Sequence, residues 1–262
     1  MVTGSVSRWL ARGFTALVLL YLYAPIAVIL LFSVATSPRL SLPVEGLTFS
    51  WYAKALENPL VLPALQNSLL LALVSAVAAG LMGTLMAFGL MALKAERLRQ
   101  VLLNVSLLPA VVPLLVIGIA LAFVFHGAGW QQGLRNAAIA HVLVCLPFVV
   151  LTMNARLETF DFSLLEAARM LGASPMRAFL DVTLPLTRPS IIGAALLAAA
   201  LSLDEFVVTW FNIGNQQTIP VLVWGLMRRG IDPSINAIAA MLFGLLAALV
   251  LLSSLFNRRV RR

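Results

Sequence analysis

The sequence predicts an all-α, polytopic membrane protein with six transmembrane helices. Three observations carry that reading. Of 262 residues, 61% are hydrophobic and only 11% are charged, where a soluble domain carries about 25% charged residues. Charge-free runs recur along the chain, most of them long enough for the roughly 20 apolar residues of a bilayer crossing. Much of the charge that remains is confined to short connections and to Arg258, Arg259, Arg261 and Arg262. Helices follow because, in lipid, every backbone N–H and C=O must be satisfied within its own segment.

The runs fix the elements in order. Gly13 to Pro38 holds the first span, about 14–34, with no small-residue cleavage site after a short core. It reads as a retained helix rather than a removed signal peptide. Asn58 to Leu93 holds the second, about 64–92, and Gln100 to Leu134 the third, about 101–125. Asn136 to Ala155 holds the fourth, about 136–155, at the limit of one bilayer thickness. Pro189 to Leu203 starts the fifth, which must continue through Asp204 and Glu205 to make about 189–211. Pro233 to Asn257 holds the sixth, about 236–257.

Six spans put both termini on one side. That side carries thirteen Lys and Arg, from Arg8, Arg12, Lys94, Arg97, Arg99, Arg156, Arg169, Arg177 and Arg188 to the four C-terminal arginines. The other side carries five: Arg39, Lys54, Arg135, Arg228 and Arg229. The bias places the termini, and the loop at about 156–188, in the cytoplasm. It also reads the net charge of +8 as topology rather than as a nucleic-acid groove. The external segments 37–63 and 211–234 carry Trp51, Tyr52 and Trp224, which read first as interfacial anchors. A surface for an external partner is the alternative. Cys145 is the one cysteine, so neither an intramolecular disulfide nor a cysteine-based metal site is expected.

The loop between spans four and five is polar and ordered in its pattern. Leu164, Leu165, Ala168, Leu171 and Gly172 recur at helical spacing. Ser163 with Glu166 three residues on fits a capping box. Gly172 permits a sharp turn. Met176, Phe179 and Leu180 form a second apolar face, and Pro185 and Pro189 punctuate the entry to the fifth span. Two short helices joined by a turn are expected, lying either on lipid headgroups or against another protein.

The spacing Glu166-Ala167-Ala168, three residues, Gly172, nine residues, then Val182-Thr183-Leu184-Pro185 resembles the signature loop of bacterial ABC-importer permeases. Val182 stands where that family usually has Ile. The flanks, AHVLVCLPFVVLTMNARLETFDFSLLEAA upstream and LSLDEFVVTWFNIG and TIPVLVWGLMRRGIDPSINAIAAML downstream, resemble the second permease subunit of spermidine/putrescine-type systems. The likeness runs from about Pro109 to Phe243 and more weakly over WYAKALENP.

The resemblance implies a type I ABC-importer fold, like that of methionine and maltose permeases, with 1–262 as one transmembrane permease domain of the bacterial inner membrane. It implies that Glu166, Ala167, Ala168, Gly172, Leu184 and Pro185 couple to a partner ATPase. The further partners would be a second permease in a heterodimer, two ATP-binding subunits and an external solute-binding protein. No cofactor is expected on this chain, ATP and Mg belonging to the ATPase. The sequence has no phosphate loop of the G-x-x-x-x-G-K-[ST] type, so no catalytic residue or enzyme activity of its own is expected.

Asp204 and Glu205 are the two acids at the end of a charge-free run. Counted from Pro189, Asp204 lies about 22 Å along the helix. Acids inside a span are costly and usually face a cavity or the bundle interior. Adjacent residues point about 100° apart, so both cannot line one narrow pathway equally. They are candidates for the substrate pathway or for holding a gate. His126 and His141 lack a second ligand at metal spacing and read as loop and helix-packing residues. Asn67 and Ser68 suit helix–helix hydrogen bonds, and Gly80 with Thr84 and Gly118 with Ala122 suit close helix contact. Pro109, Pro113 and Pro147 are expected to kink or break helices. A stand-alone secondary transporter of small amines would favour an internal repeat, which the sequence does not display. A non-transporting assembly protein would not need the acidic pair.

Overall fold

The computed structural model describes residues 5–37, 43–230 and 233–260, with side chains at 9–37, 43–228, 230 and 233–248. Its backbone is helical, relieved among the described residues by one isolated antiparallel bridge, Ala35 to Leu47. In order, the helices are α1 (Ser5–Ser33), α2 (Ser50–Glu57), α3 (Val61–Ala92), α4 (Glu96–Val111), α5 (Leu114–Gly127) and α6 (Leu134–Glu158). Then come α7 (Ser163–Met170), α8 (Pro175–Ala178), α9 (Leu184–Asp204), α10 (Val207–Asn212), α11 (Ile219–Arg229) and α12 (Ser234–Val260). A π turn, Phe179–Thr183, joins α8 to α9. Arg39, Arg261 and Arg262, and the side chains of Arg8, Arg229, Arg258 and Arg259, lie outside the described residues.

Among the described residues, four continuous helical stretches are long and apolar enough to cross a membrane: Trp9–Ser33, Val61–Ala92, Leu134–Glu158 and Pro175–Asp204. The expected third span, 101–125, is not one straight helix. Val111 and Leu114 belong to helices bent by 97°, which count as a fifth crossing if taken together. The cause is local. Val112 is extended (φ −72, ψ 133), as the residue before a proline prefers, and Pro113 has no N–H to continue the ladder. Pro25, Pro109, Pro147 and Pro189 all lie inside helices. The sixth expected span, 236–257, falls on α12, whose described apolar stretch is Ser234–Ala248.

The fifth span also departs from 189–211. Helix continues from Pro175 through the π turn to Asp204, so Pro185 and Pro189 do not mark its start. In the π turn the Leu184 N–H donates to Phe179 O, five residues back. The wider ring gives Pro185 room where an α-helix would drive its pyrrolidine into the carbonyl four residues before it. The helix ends at Asp204 because Glu205 is extended (φ −69, ψ 115).

The chain forms two compact units. One comprises Met1–Val61 and Val223–Arg262. Within it α1 and α2 pack on α12. The Tyr52 hydroxyl bonds Ser33 Oγ at 2.8 Å, and Trp51 Nε1 donates to Ala35 O at 2.7 Å. Along α1, Leu10, Phe14, Leu17, Leu20 and Tyr21 are exposed, as a lipid-facing helix requires.

The other unit is the continuous segment Leu62–Leu222, with α9 and α4 packed on α6, and α10 on α5 and α6. One core of it joins Ala79, Ala87, Cys145, Val149, Met153, Leu157, Ala194 and Ala198. Small side chains let the backbones approach, which is how helices gain contact where lipid is as apolar as leucine. A Cβ at Gly80 would meet Ala195 Cβ at 3.2 Å, and one at Gly118 would meet Phe211 Cδ2 at 3.1 Å. Gly83 is tighter still, with Val149 Cγ1 2.6 Å from where its Cβ would stand. Asn67 Nδ2 donates to Gln217 O at 2.9 Å, and Ser68 Oγ accepts from Ile219 N at 2.9 Å. Both therefore join helix α3 to the start of α11.

Candidate functional site

Two places in the Leu62–Leu222 unit hold the residues singled out from sequence. The first is the polar connection. Helix α7 starts on Asp161, whose Oδ1 accepts from Ser163 N at 3.0 Å. The expected capping box is absent: Ser163 is the first helical residue, and Glu166 is exposed with no side-chain hydrogen bond among the described residues. The Ser163 hydroxyl and then its N–H hold the Asp161 carboxyl below its ordinary range.

The end of α7 explains the spacing from Ala168 to Gly172. Ala173 N donates to Ala168 O at 3.1 Å, and Gly172 N donates to Arg169 O at 3.0 Å. Gly172 sits at φ +91. This double closure needs a left-handed residue four places after the helical carbonyl it satisfies, and glycine adopts that conformation without cost from a Cβ. Helix α8 then begins on Ser174, whose Oγ accepts from Arg177 N at 3.3 Å. Phe179 packs edge-on against Phe88 of α3, with centroids 5.1 Å apart, and Ala178 and Thr183 are buried beneath.

Above these buried contacts the element turns its apolar side outward. Met170 and Leu171 are each 90% exposed, and Leu164, Met176 and Leu180 are exposed with them. Arg169 and Arg177 flank them, exposed and without an ion pair among the described residues. An exposed apolar cluster of this kind marks a surface for contact with a protein or with the membrane. Leu184 and Pro185 are exposed at the base of α9.

The second place is the break between α9 and α10, about 30 Å along the helix from Leu184. The two acids there diverge as adjacent positions must. Asp204 is exposed and makes no side-chain hydrogen bond or ion pair among the described residues. Glu205 is buried, and its Oε1 accepts from Val208 N at 2.7 Å, closing the first turn of α10. The acids are thus not brought to the α7–α8 knob. They mark the opposite end of one continuous rod.

Residues 79–262 match the family described as binding-protein-dependent transport system inner membrane component. The chain belongs to this family. Over 254 residues it is 34% identical to the spermidine/putrescine transport system permease protein PotC of Escherichia coli, covering 97% of this chain and 96% of that one. It is also 34% identical over 242 residues to the putrescine transport system permease protein PotI of Escherichia coli, covering 90% and 84%. Its fold is shared with the inward-facing MetNI methionine ABC transporter, at a TM-score of 0.66 and 18% identity over 78% of this chain and 97% of that one. It is a permease subunit of an ABC importer, homologous to polyamine permeases.

In this permease, two residues matter that sequence reading did not assign, and a third makes bonds beyond the packing expected of it. Asp161 caps α7, Gly83 lets α3 touch α6, and His141 bonds two helices across the core. His141 is 1% exposed, with Nδ1 2.7 Å from Ser202 Oγ and Nε2 2.7 Å from Thr209 Oγ1. It is a packing residue, as expected, but a hydrogen-bonded one. Asp161 makes a testable claim. Because its folded carboxyl is lowered, its contribution is full above the unfolded value of about 3.9 and is lost as pH falls through the folded value. Asp161→Ala should speed hydrogen exchange of the α7 amides severalfold at neutral pH. Acidification should loosen α7 in the wild type but not further in the variant, after correction for intrinsic rates. Equal protection in both proteins at neutral pH would refute the cap.

Proposed function

We propose that this permease carries a polyamine or a closely related small amino compound into the cytoplasm, driven by ATP hydrolysed on partner subunits. The observation that carries the reading is the 34% identity over 97% of the chain to a permease named for spermidine and putrescine. Asp204 supports it, as an exposed carboxylate at a helix end without an internal counter-ion among the described residues. A cationic amine is the cargo such a group favours.

The exposed knob of Met170, Leu171 and Met176 fits a groove on an ATP-binding subunit, with Glu166, Ala167, Ala168 and Gly172 building the knob and Leu184 and Pro185 joining it to the rod. Two such subunits, carrying ATP and Mg, a second permease forming a heterodimer and an external solute-binding protein complete the importer. The permease lies in the bacterial inner membrane with six crossings and cytoplasmic termini, as the Lys and Arg bias supports.

The test is reconstitution with the ATPase, second permease and binding protein encoded beside this gene. Spermidine or putrescine on the binding protein should stimulate hydrolysis and appear inside the vesicles. Asp204→Asn should lower transport by about tenfold or more, in line with the loss of one desolvated charge contact, while basal hydrolysis persists. Stimulation by another solute class and not by any amine would overturn the cargo.

A further inference from the structure

A hydrogen-bonded chain crosses four helices beside the break. Ser75 Oγ of α3 donates to Ser202 Oγ of α9 at 3.2 Å. Ser202 Oγ lies 2.7 Å from His141 Nδ1, and His141 Nε2 lies 2.7 Å from Thr209 Oγ1 of α10. Thr209 Oγ1 donates to Glu205 O at 2.9 Å. The directions follow from the ends inward. Thr209 has one proton, and a carbonyl can only accept, so that proton goes to Glu205 O. Thr209 Oγ1 therefore accepts from His141 Nε2–H. The imidazole is then the neutral tautomer with Nδ1 free to accept, and Ser202, whose oxygen accepts from Ser75, donates its one hydroxyl proton to Nδ1. Every hydroxyl in the chain is satisfied in a single sense.

The placement is as telling as the bonding. Ser202 lies before the extended residue Glu205 and Thr209 after it. One side chain from α6 thus grips both sides of the break. All of Ser75, His141, Ser202 and Thr209 are buried, so no water substitutes for a lost bond. Glu205 caps α10 from within the break. On the other side, Ser202 shares one uninterrupted helix with Pro175. A tilt of that helix against α10 must break His141–Ser202 or His141–Thr209.

We propose that His141 is a positioning residue that latches the break between α9 and α10, so that movement of the rod is transmitted to α10 rather than absorbed by the joint. The inference rests on the chain being an importer permease and is independent of which solute it carries. Thr209→Val removes the grip on α10 with little change in volume, Ser202→Ala removes the grip on α9, and Thr209→Ser restores the hydroxyl. Ser75→Ala is the control, since it deletes a hydrogen bond of the same buried chain that does not straddle the break.

The readouts are taken on the assembled complex. The first is the electron paramagnetic resonance distance distribution between nitroxides at Leu197→Cys and Trp210→Cys, both exposed positions flanking the break, in a Cys145→Ala background. The second is the amount of solute moved per ATP hydrolysed. Thr209→Val should at least double the width of the distribution and lower the coupling ratio at least threefold. Thr209→Ser and Ser75→Ala should change neither by as much as twofold. An unchanged width in Thr209→Val overturns the latch, and so does equal broadening by Ser75→Ala. If Thr209→Val does not assemble, Ser202→Ala must give both changes, and their absence overturns it equally. Failure of polyamines to stimulate the complex would sink the cargo but leave these comparisons standing with the solute that does.

Discussion

Leu171→Asp is expected to abolish solute-stimulated ATP hydrolysis while leaving the permease folded. Leu171 is 90% exposed and follows α7 directly, in the turn closed by Gly172. Its backbone closure involves main-chain atoms only, so the substitution leaves Ala173–Ala168 and Gly172–Arg169 intact. An exposed leucine contributes little to the fold of the isolated chain. In a docked complex the same position would place an unpaired carboxylate against an apolar groove. Loss of a central apolar anchor alone costs about 2 kcal/mol or more, roughly a 30-fold weakening, and burying the charge adds to it. Co-purification of the ATP-binding subunits and stimulated hydrolysis should both fail, with the thermal midpoint of the permease in detergent within about 2 °C of wild type. Full stimulation by this variant would remove α7 and its turn from the docking surface.

The largest effect on the fold itself is expected at Gly83. A Cβ there would lie 2.6 Å from Val149 Cγ1 and 2.8 Å from Val149 Cβ. Val149 is fully buried on α6 and β-branched, so it has no spare rotamer to move into. Even Gly83→Ala must push α3 from α6, which costs about 1–3 kcal/mol as overpacking. Gly83→Leu should prevent recovery of folded permease. Gly89, on the same helix, has nothing within 4 Å of its would-be Cβ. Gly89→Ala should therefore be neutral or slightly stabilising, since alanine is about 1 kcal/mol the better helix former. Thermal melts of the two alanine variants decide the matter, and equal midpoints would show that α3 and α6 do not depend on bare backbone contact.

Much of this architecture is legible in the sequence because a bilayer simplifies the code. The second and fourth spans were expected at about 64–92 and 136–155, and α3 and α6 run Val61–Ala92 and Leu134–Glu158. Apolar length alone decides such helices. The third is bent at Pro113, one of the prolines expected to kink or break a helix. Pro185 and Pro189, by contrast, do not mark the start of the fifth. A proline is tolerated where the preceding turn can widen, and the π turn at Phe179–Thr183 does so. Composition does not reveal which turn can. The spacing of the loop motif was legible, and the double closure at Gly172 gives its physical basis. The cap was misplaced by two residues because Ser163 and Asp161 are both competent acceptors.

The His141 chain lay beyond sequence reading. Its partners stand 61 and 68 residues away along the chain, and only the packing of α6 against α9 and α10 brings them together. The available signal was weak: single polar residues at Ser75, His141, Ser202 and Thr209 in otherwise apolar surroundings. Glu205 and Asp204 could be separated in role only once the break between them and α10 was visible. A hydrogen-bonding side chain and an exposed one look alike in a pair of adjacent acids.

The division of the chain has a consequence for how it is made. Segment Leu62–Leu222 is continuous, whereas the other unit draws α1 and α2 from before it and α12 from after it. At translation speeds of about 5–20 residues per second, the ribosome needs on the order of ten seconds or more to pass from the first part to the last. Through that interval α1 stands in the bilayer, with α2 beyond its end, while their packing partner is still unsynthesised. The exposed apolar surface of α1 suits that wait, because lipid can hold it until α12 arrives. The insertion machinery thus handles a first helix that must stay near the growing chain, and release of that helix into the membrane would strand it.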